Sequence, residues 1–158
     1  MKAKNNQTNE IKKLGKLPVW RLSDLYLSHN DKGLSKDLSA IKIETLKFEK
    51  KYSGKIKSLN SDKLFKAIVK LEEIDILMDK ILSYAHLLVA EDGNNEKNKI
   101  FYQQMQETIT NYASSIIFFT LELNQINENS LKKLFKNSKL KIYKNWITNK
   151  RTFKPYQL

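Results

Sequence analysis

Residues 62–90 read Asp-Lys-Leu-Phe-Lys-Ala-Ile-Val-Lys-Leu-Glu-Glu-Ile-Asp-Ile-Leu-Met-Asp-Lys-Ile-Leu-Ser-Tyr-Ala-His-Leu-Leu-Val-Ala, without a glycine or a proline to interrupt them. Leu64, Ile68, Leu71, Asp75, Met78, Leu82, Ala85 and Val89 recur at alternating spacings of four and three. That spacing is a heptad-like helical seam with one polar interruption, at Asp75. A second stripe, Ile74, Leu77, Ile81, Tyr84 and Leu88, widens the apolar face in the C-terminal half and predicts burial on two sides there. Asn60 or Ser61 is placed to accept the first orphan N–H groups. A long amphipathic helix over about 61–90 follows.

Outward from it, Glu91-Asp92-Gly93-Asn94 forms a short turn, and Phe101, Met105, Ile109, Tyr112, Ile116, Phe119 and Leu123 repeat the helical spacing. A second long helix is expected over about 95–124, each of the pair about 40–45 Å long at the rise of an α-helix. A short link between long amphipathic helices implies an antiparallel hairpin. Upstream, Leu38, Ile41, Thr45, Phe48 and Tyr52 predict a helix from about Leu34 to Tyr52, stopped by Gly54. Downstream, Asn127 and Asn137 are placed to cap two shorter helices, Glu128 to Lys136 and Ser138 to Phe153, with Pro155 ending the last. No segment alternates with period two, and the seams differ too much to be a solenoid repeat. The expected fold is all-α: a long helical hairpin with one N-terminal helix and two shorter C-terminal helices.

Ahead of this body, residues 1–16 are rich in lysine and asparagine, too poor in apolar groups to offset the entropy of ordering, and are expected to be a disordered basic tail. Pro18 biases Leu17 toward an extended conformation. Trp20, Leu22, Leu25 and Tyr26 then supply anchors for docking on the helices, with Ser23 and Asp24 turning the chain. The body, residues 17–158, has the size of a single domain. Its apolar runs, Ile81 to Ala90 and Tyr112 to Leu123, are shorter than the roughly 20 residues that span a bilayer. Polar residues stand where a signal peptide needs an apolar core, so a cytoplasmic address is expected. With no cysteine, neither a disulfide framework nor a thiolate metal site is available.

The net charge of +12 lies at the two ends: +8 over residues 1–60, −4 over residues 61–123 and +8 over residues 124–158. Lysine accompanied by abundant asparagine and isoleucine is the mixture AT-rich coding produces by drift, so composition favours a solvated surface over a phosphate-binding one. The basic segment from Lys132 to Lys154 carries Phe135, Tyr143, Trp146 and Phe153, a pattern that binds single strands when the rings are exposed. Here Leu140, Tyr143, Trp146 and Ile147 fall at helical spacing, which assigns the aromatics to the core instead. A basic nucleic-acid-binding or adaptor module remains the alternative reading.

Catalytic candidates fail on spacing. The chain has two histidines. His86 sits in the most apolar part of the long helix and is expected to be a hydrogen-bonded structural residue; His29 precedes a loop and is expected to be solvated. Neither has a glutamate three residues before it, as the Glu-x-x-His pairs of carboxylate-bridged metal bundles require. Glu72, Asp75 and Asp79 share one side of a helix, but no glycine wraps an ion there, so a solvated face paired to Lys70 or Lys80 is expected. Asp75, on the seam, is expected either to meet a lysine or tyrosine of another helix or to mark where the long helices splay. Glycines are too few for a phosphate loop, and no serine or cysteine nucleophile motif occurs. The chain therefore offers no catalytic, cofactor-binding or metal site of its own.

Landmarks in order along the chain nevertheless resemble those of one family. Leu17-Pro18-Val19-Trp20 with Leu22-Ser23-Asp24-Leu25-Tyr26 looks like the opening of the oligoendopeptidase F family of zinc metallopeptidases. Phe48 to Tyr52 with Gly54-Lys55 is similar to the helix end that follows, and Ser83-Tyr84-Ala85, Phe101-Tyr102-Gln103 and Phe118-Phe119-x-Leu121-Glu122-Leu123 match in position. Arg151-x-Phe153-x-Pro155-x-Gln157-Leu158 closes the pattern. The resemblance covers roughly residues 17–158 and implies a helical N-terminal region that helps wall a channel admitting oligopeptides. The family's zinc, its His-Glu-x-x-His motif and its further glutamate ligand belong to a later catalytic domain, and no such motif occurs in this chain. The expectation is a region inactive by itself, from a split or truncated gene or an excised domain. Its expected partner is a separately encoded catalytic portion.

Overall fold

The computed structural model describes residues 21–152 and residue 154. Within them the chain is all-helical: α1 (Lys32–Tyr52), α2 (Ser61–Glu91), α3 (Glu96–Ser114), α4 (Phe118–Asn124), α5 (Glu128–Leu134), α6 (Ser138–Lys141) and α7 (Lys144–Arg151), with single 3-10 turns at Leu22–Asp24 and Ile56–Ser58. The tail at 1–16, and Leu17, Pro18, Trp20, Phe153 and Pro155, lie outside the described residues. Among the described residues no helix is long and apolar enough to cross a membrane.

Helix α2 is the centre of the molecule. Asn60 caps it by accepting from Lys63 N–H, and its 31 residues span about 46 Å. It packs against α1, α3 and α6 and touches the turn at Leu22–Asp24. In its C-terminal half Ile74, Met78, Ile81, Tyr84 and Ala85 are all buried, the burial on two sides that the double stripe predicts. The link to α3 is short, with Asn95 accepting from Lys97 and Asn98 N–H, and Asn98 Nδ2 donates back to Leu88 O at 3.1 Å. Tyr84 meets Phe101, and Leu71 and Asp75 line one cleft with Thr110 and Ala113. Such decreasing-against-increasing pairing is an antiparallel hairpin.

Two expected helices are divided. The one over 95–124 is interrupted at Ser115–Ile117, so α3 is far shorter than α2. The Ser114 hydroxyl donates to Asn111 O at 2.7 Å, and the N–H groups of Ser115 and Ile116 bond three residues back, to Tyr112 O and Ala113 O. Serine side chains competing for backbone, followed by two β-branched isoleucines, tighten this segment into a 3-10 turn. The helix over 138–153 is likewise divided into α6 and α7. Tyr143 N–H bonds to Leu140 O, and the hydroxyl of Tyr143 donates to Glu72 on α2.

Helix α1 begins at its Asp31 cap, which accepts from Gly33 N–H, and runs to Tyr52 with Leu34, Ile41, Thr45, Phe48 and Tyr52 buried. Gly54 leaves it with φ +75°, the left-handed conformation expected of a helix-stopping glycine. Asn127 and Asn137 cap α5 and α6 as their positions predict.

Candidate functional site

The residues singled out for chemistry do not converge. His86 is exposed and lies against the Tyr102 ring at 5.6 Å; it is not the buried, hydrogen-bonded residue its apolar neighbours suggest, because its side of α2 lies outside the buried stripe. His29 is half-buried rather than solvated, stacked on Phe101 at 4.3 Å with the rings 10° from parallel. Nor do Lys70 and Lys80 pair with the Glu72, Asp75 and Asp79 face. Both reach across to α1: Lys70 binds Glu44 at 2.7 Å as well as Glu73 at 3.0 Å, and Lys80 binds Asp37 at 2.8 Å. Glu72 instead takes the Tyr143 hydroxyl, whose pKa rises to about 12 because that hydrogen bond holds the proton. Among the described residues no three His, Asp or Glu side chains are grouped closely enough to hold a metal ion, so the residues present do not fit a zinc ion.

What the structure brings together are aromatic and turn residues in pairs distant in sequence. Tyr26, 3 % exposed, sets its ring edge-on to Tyr84 at 5.2 Å, and Tyr84 meets Phe101 at 6.0 Å. Its hydroxyl donates to Asp37 at 2.8 Å, while Lys80 lies over its ring at 4.3 Å and shares the same carboxylate oxygen. Burial pushes the Tyr26 phenol up, aided by that carboxylate. Burial would also raise Asp37, but the hydrogen bonds from Lys80 and Tyr26 win and hold it below its ordinary value.

At the other end, Phe48 contacts Phe118 and Phe119 at 5.9 and 5.8 Å. The Glu122 carboxylate accepts from Gly54 N–H at 2.6 Å and from Ile56 N–H at 3.0 Å. Arg151, 8 % exposed, donates to Leu123 O and to Glu128. Each pair joins elements that share no local sequence.

Two concave surfaces flank this core. A groove of about 390 Å³ between α1 and α2 has Lys47, Lys51, Lys66 and Lys70 around Phe65 and Val69. Its other rings, Phe48 and Tyr52, are 2 % and 6 % exposed and so are unavailable for stacking on bases. The C-terminal rings at Phe135, Tyr143 and Trp146 are half-buried, short of the core position their spacing predicts, with Tyr143 packed between Phe65 and Trp146 at 5.9 and 6.4 Å. Leu140 and Ile147 are fully buried, as the stripe predicts.

The second surface is a cleft of about 340 Å³ at the division between α3 and α4, lined by Leu71, Asp75, Thr110, Ala113, Ser114, Ile116, Ile117, Thr120 and Lys150. Of the two roles open to Asp75, pairing with a lysine or tyrosine of another helix is not realised among the described residues; the residue lines the cleft beside the end of α3. It forms no ion pair or hydrogen bond among the described residues. Burial pushes its carboxyl up, Lys150 pulls it down, and Asp79 and Glu72 push it up further. Sequence reasoning missed this cleft because the tightened turn that opens it leaves the helical spacing intact. It also missed Asn124, 1 % exposed, whose amide atoms have no hydrogen-bond partner among the described residues.

No protein-family model, curated protein or solved structure matches the chain.

Proposed function

We propose that this chain is the N-terminal helical region of an oligoendopeptidase F-like metallopeptidase, working in the cytoplasm as part of the wall of an oligopeptide channel. The zinc chemistry then belongs to another portion of the enzyme, in keeping with the lack of a grouped ligand set among the described residues and of a His-Glu-x-x-His motif in the sequence. The supporting observation is the pairing of the landmarks: Tyr26 with Tyr84 and Phe101, and Phe48 and Gly54 with Phe118, Phe119 and Glu122. Residues kept for packing at fixed contacts are what a wall requires. A catalytic role would instead set titratable groups around a common point.

The test is complementation. A catalytic portion of an oligoendopeptidase F-like protein, carrying His-Glu-x-x-His and lacking its own N-terminal helices, is assayed on a quenched oligopeptide with and without this chain. Cleavage that requires both is the expected result; equal rates with and without the chain overturn the proposal. A gel shift with labelled single strands, lost steeply as salt rises, would instead favour the nucleic-acid alternative.

A further inference from the structure

The cleft between α2, α3, α4 and α7 holds a carboxylate that the fold does not satisfy. Asp75 projects from the middle of α2 into a lining of apolar and hydroxyl side chains, with Lys150, Asp79 and Glu72 near enough to act on its charge, and among the described residues no cation pairs with it. Partial burial takes some of the water from this carboxylate and no side chain among the described residues replaces it, while its oxygens still reach solvent through the open cleft. The lysines flanking it along α2, Lys70 and Lys80, are both committed to carboxylates of α1. Lys150 on α7 shares the cleft without an ion pair to Asp75, and its ammonium lies 5.5 Å from the centre of the Trp146 ring. One acidic and one basic residue thus line a common space whose remaining lining is Leu71, Ala113, Ile116 and Ile117 with Thr110, Ser114 and Thr120. At about 340 Å³ the cleft is at the small end of ligand sites, which commonly occupy roughly 300–1,000 Å³.

We propose that this cleft binds a small zwitterion with an apolar side chain, of the α-amino acid class, its ammonium on Asp75 and its carboxylate on Lys150. The pairing satisfies both charges at once, which neither a simple amine nor a simple acid does. An amine alone would leave Lys150 as a like charge beside it, and an acid alone would face Asp75. Leu71, Ile116 and Ile117 then cover the side chain of the ligand. The site is independent of any peptidase chemistry, since it uses no metal and no residue of the paired landmarks.

The probe is L-leucine, titrated into the full chain while backbone amide resonances are followed. Saturable shifts centred on Asp75, Ala113 and Lys150 are expected, with 4-methylpentanoate and 3-methylbutylamine, which lack one charge each, binding about tenfold more weakly. Asp75→Asn and Lys150→Gln should each weaken L-leucine by about the same factor, as expected for loss of a charged hydrogen bond. The second variant changes an exposed side chain and guards against a folding defect in the first. The dipeptide Leu-Gly separates a free amino acid from a peptide N-terminus. Absence of localised shifts with L-leucine overturns the proposal, as does equal binding of the singly charged analogues or tighter binding of Leu-Gly. Binding unchanged in both variants overturns it too.

Discussion

Glu122 shows how much of this fold depends on single side chains. Gly54 and Ile56 follow the end of α1 in a turn whose N–H groups no helix satisfies, and the two oxygens of one carboxylate, 66 and 68 positions away in sequence, accept them. Hydrogen bonds to a charged acceptor contribute more than neutral ones, and removing the acceptor strands both donors. Glu122→Ala is therefore expected to cost about 2–3 kcal/mol in urea unfolding, and Glu122→Gln, which keeps one acceptor oxygen, about half as much. Equal stability of all three proteins would show that water replaces the carboxylate without loss. Nothing in the sequence around Glu122 reveals this partner. Gly54 was legible as a helix stop because its conformational freedom is a local property, whereas the residue that completes the turn is fixed only by the tertiary arrangement.

Helices and the junctions between them divide the same way into legible and illegible parts. Of the predicted seam, Phe101, Ile109, Ile116, Phe119 and Leu123 are buried and Met105 and Tyr112 are half-buried against the core, although the helix that carries them is divided. A 3-10 turn advances the chain by three residues where an α-helix advances by 3.6, so one tightened turn scarcely disturbs a pattern of threes and fours. Hence the core of the hairpin could be read while the cleft at Asp75 could not. The α1–α2 junction gives a pH-dependent test. Glu44 is hydrogen-bonded by Lys47 and Lys70, which lower its pKa from 4.5 to about 2. A carboxyl depressed by folding contributes stability that is present above 4.5 and is lost as pH falls through about 2. Because Glu44 is largely solvated, its contribution is screened to about 1 kcal/mol. Glu44→Gln should therefore be less stable than the parent at neutral pH, with the gap closing as pH approaches 2. A gap that stays constant down to that pH would mean that the ion pairs contribute nothing.

At the scale of the whole molecule, the alternation of charge along the chain becomes a layering in space. α2, at the centre, is net acidic and α3 is neutral, while α1, α5, α6 and α7 are each net basic. Contacts between them run both ways: Tyr143 donates to Glu72 and Asn137 to Asp62, whereas Lys70 and Lys80 of α2 reach the carboxylates Glu44 and Asp37 of α1. These few contacts satisfy local groups but cannot neutralise a net charge of +12. Like charges on the outer helices repel over distances comparable to the Debye length, which is about 10 Å at 0.1 M salt and shortens further as salt is added. Close pairs such as Lys80–Asp37, half shielded from solvent, are screened less than that diffuse repulsion. The urea midpoint is therefore expected to rise between low and moderate ionic strength, with sodium chloride as the salt so that specific anion effects stay small. A falling midpoint would show that the close pairs between α1 and α2 outweigh the repulsion. The same titration run on the Glu44→Gln variant separates the two contributions, because only the pairwise one is changed there while the layered charge is nearly the same.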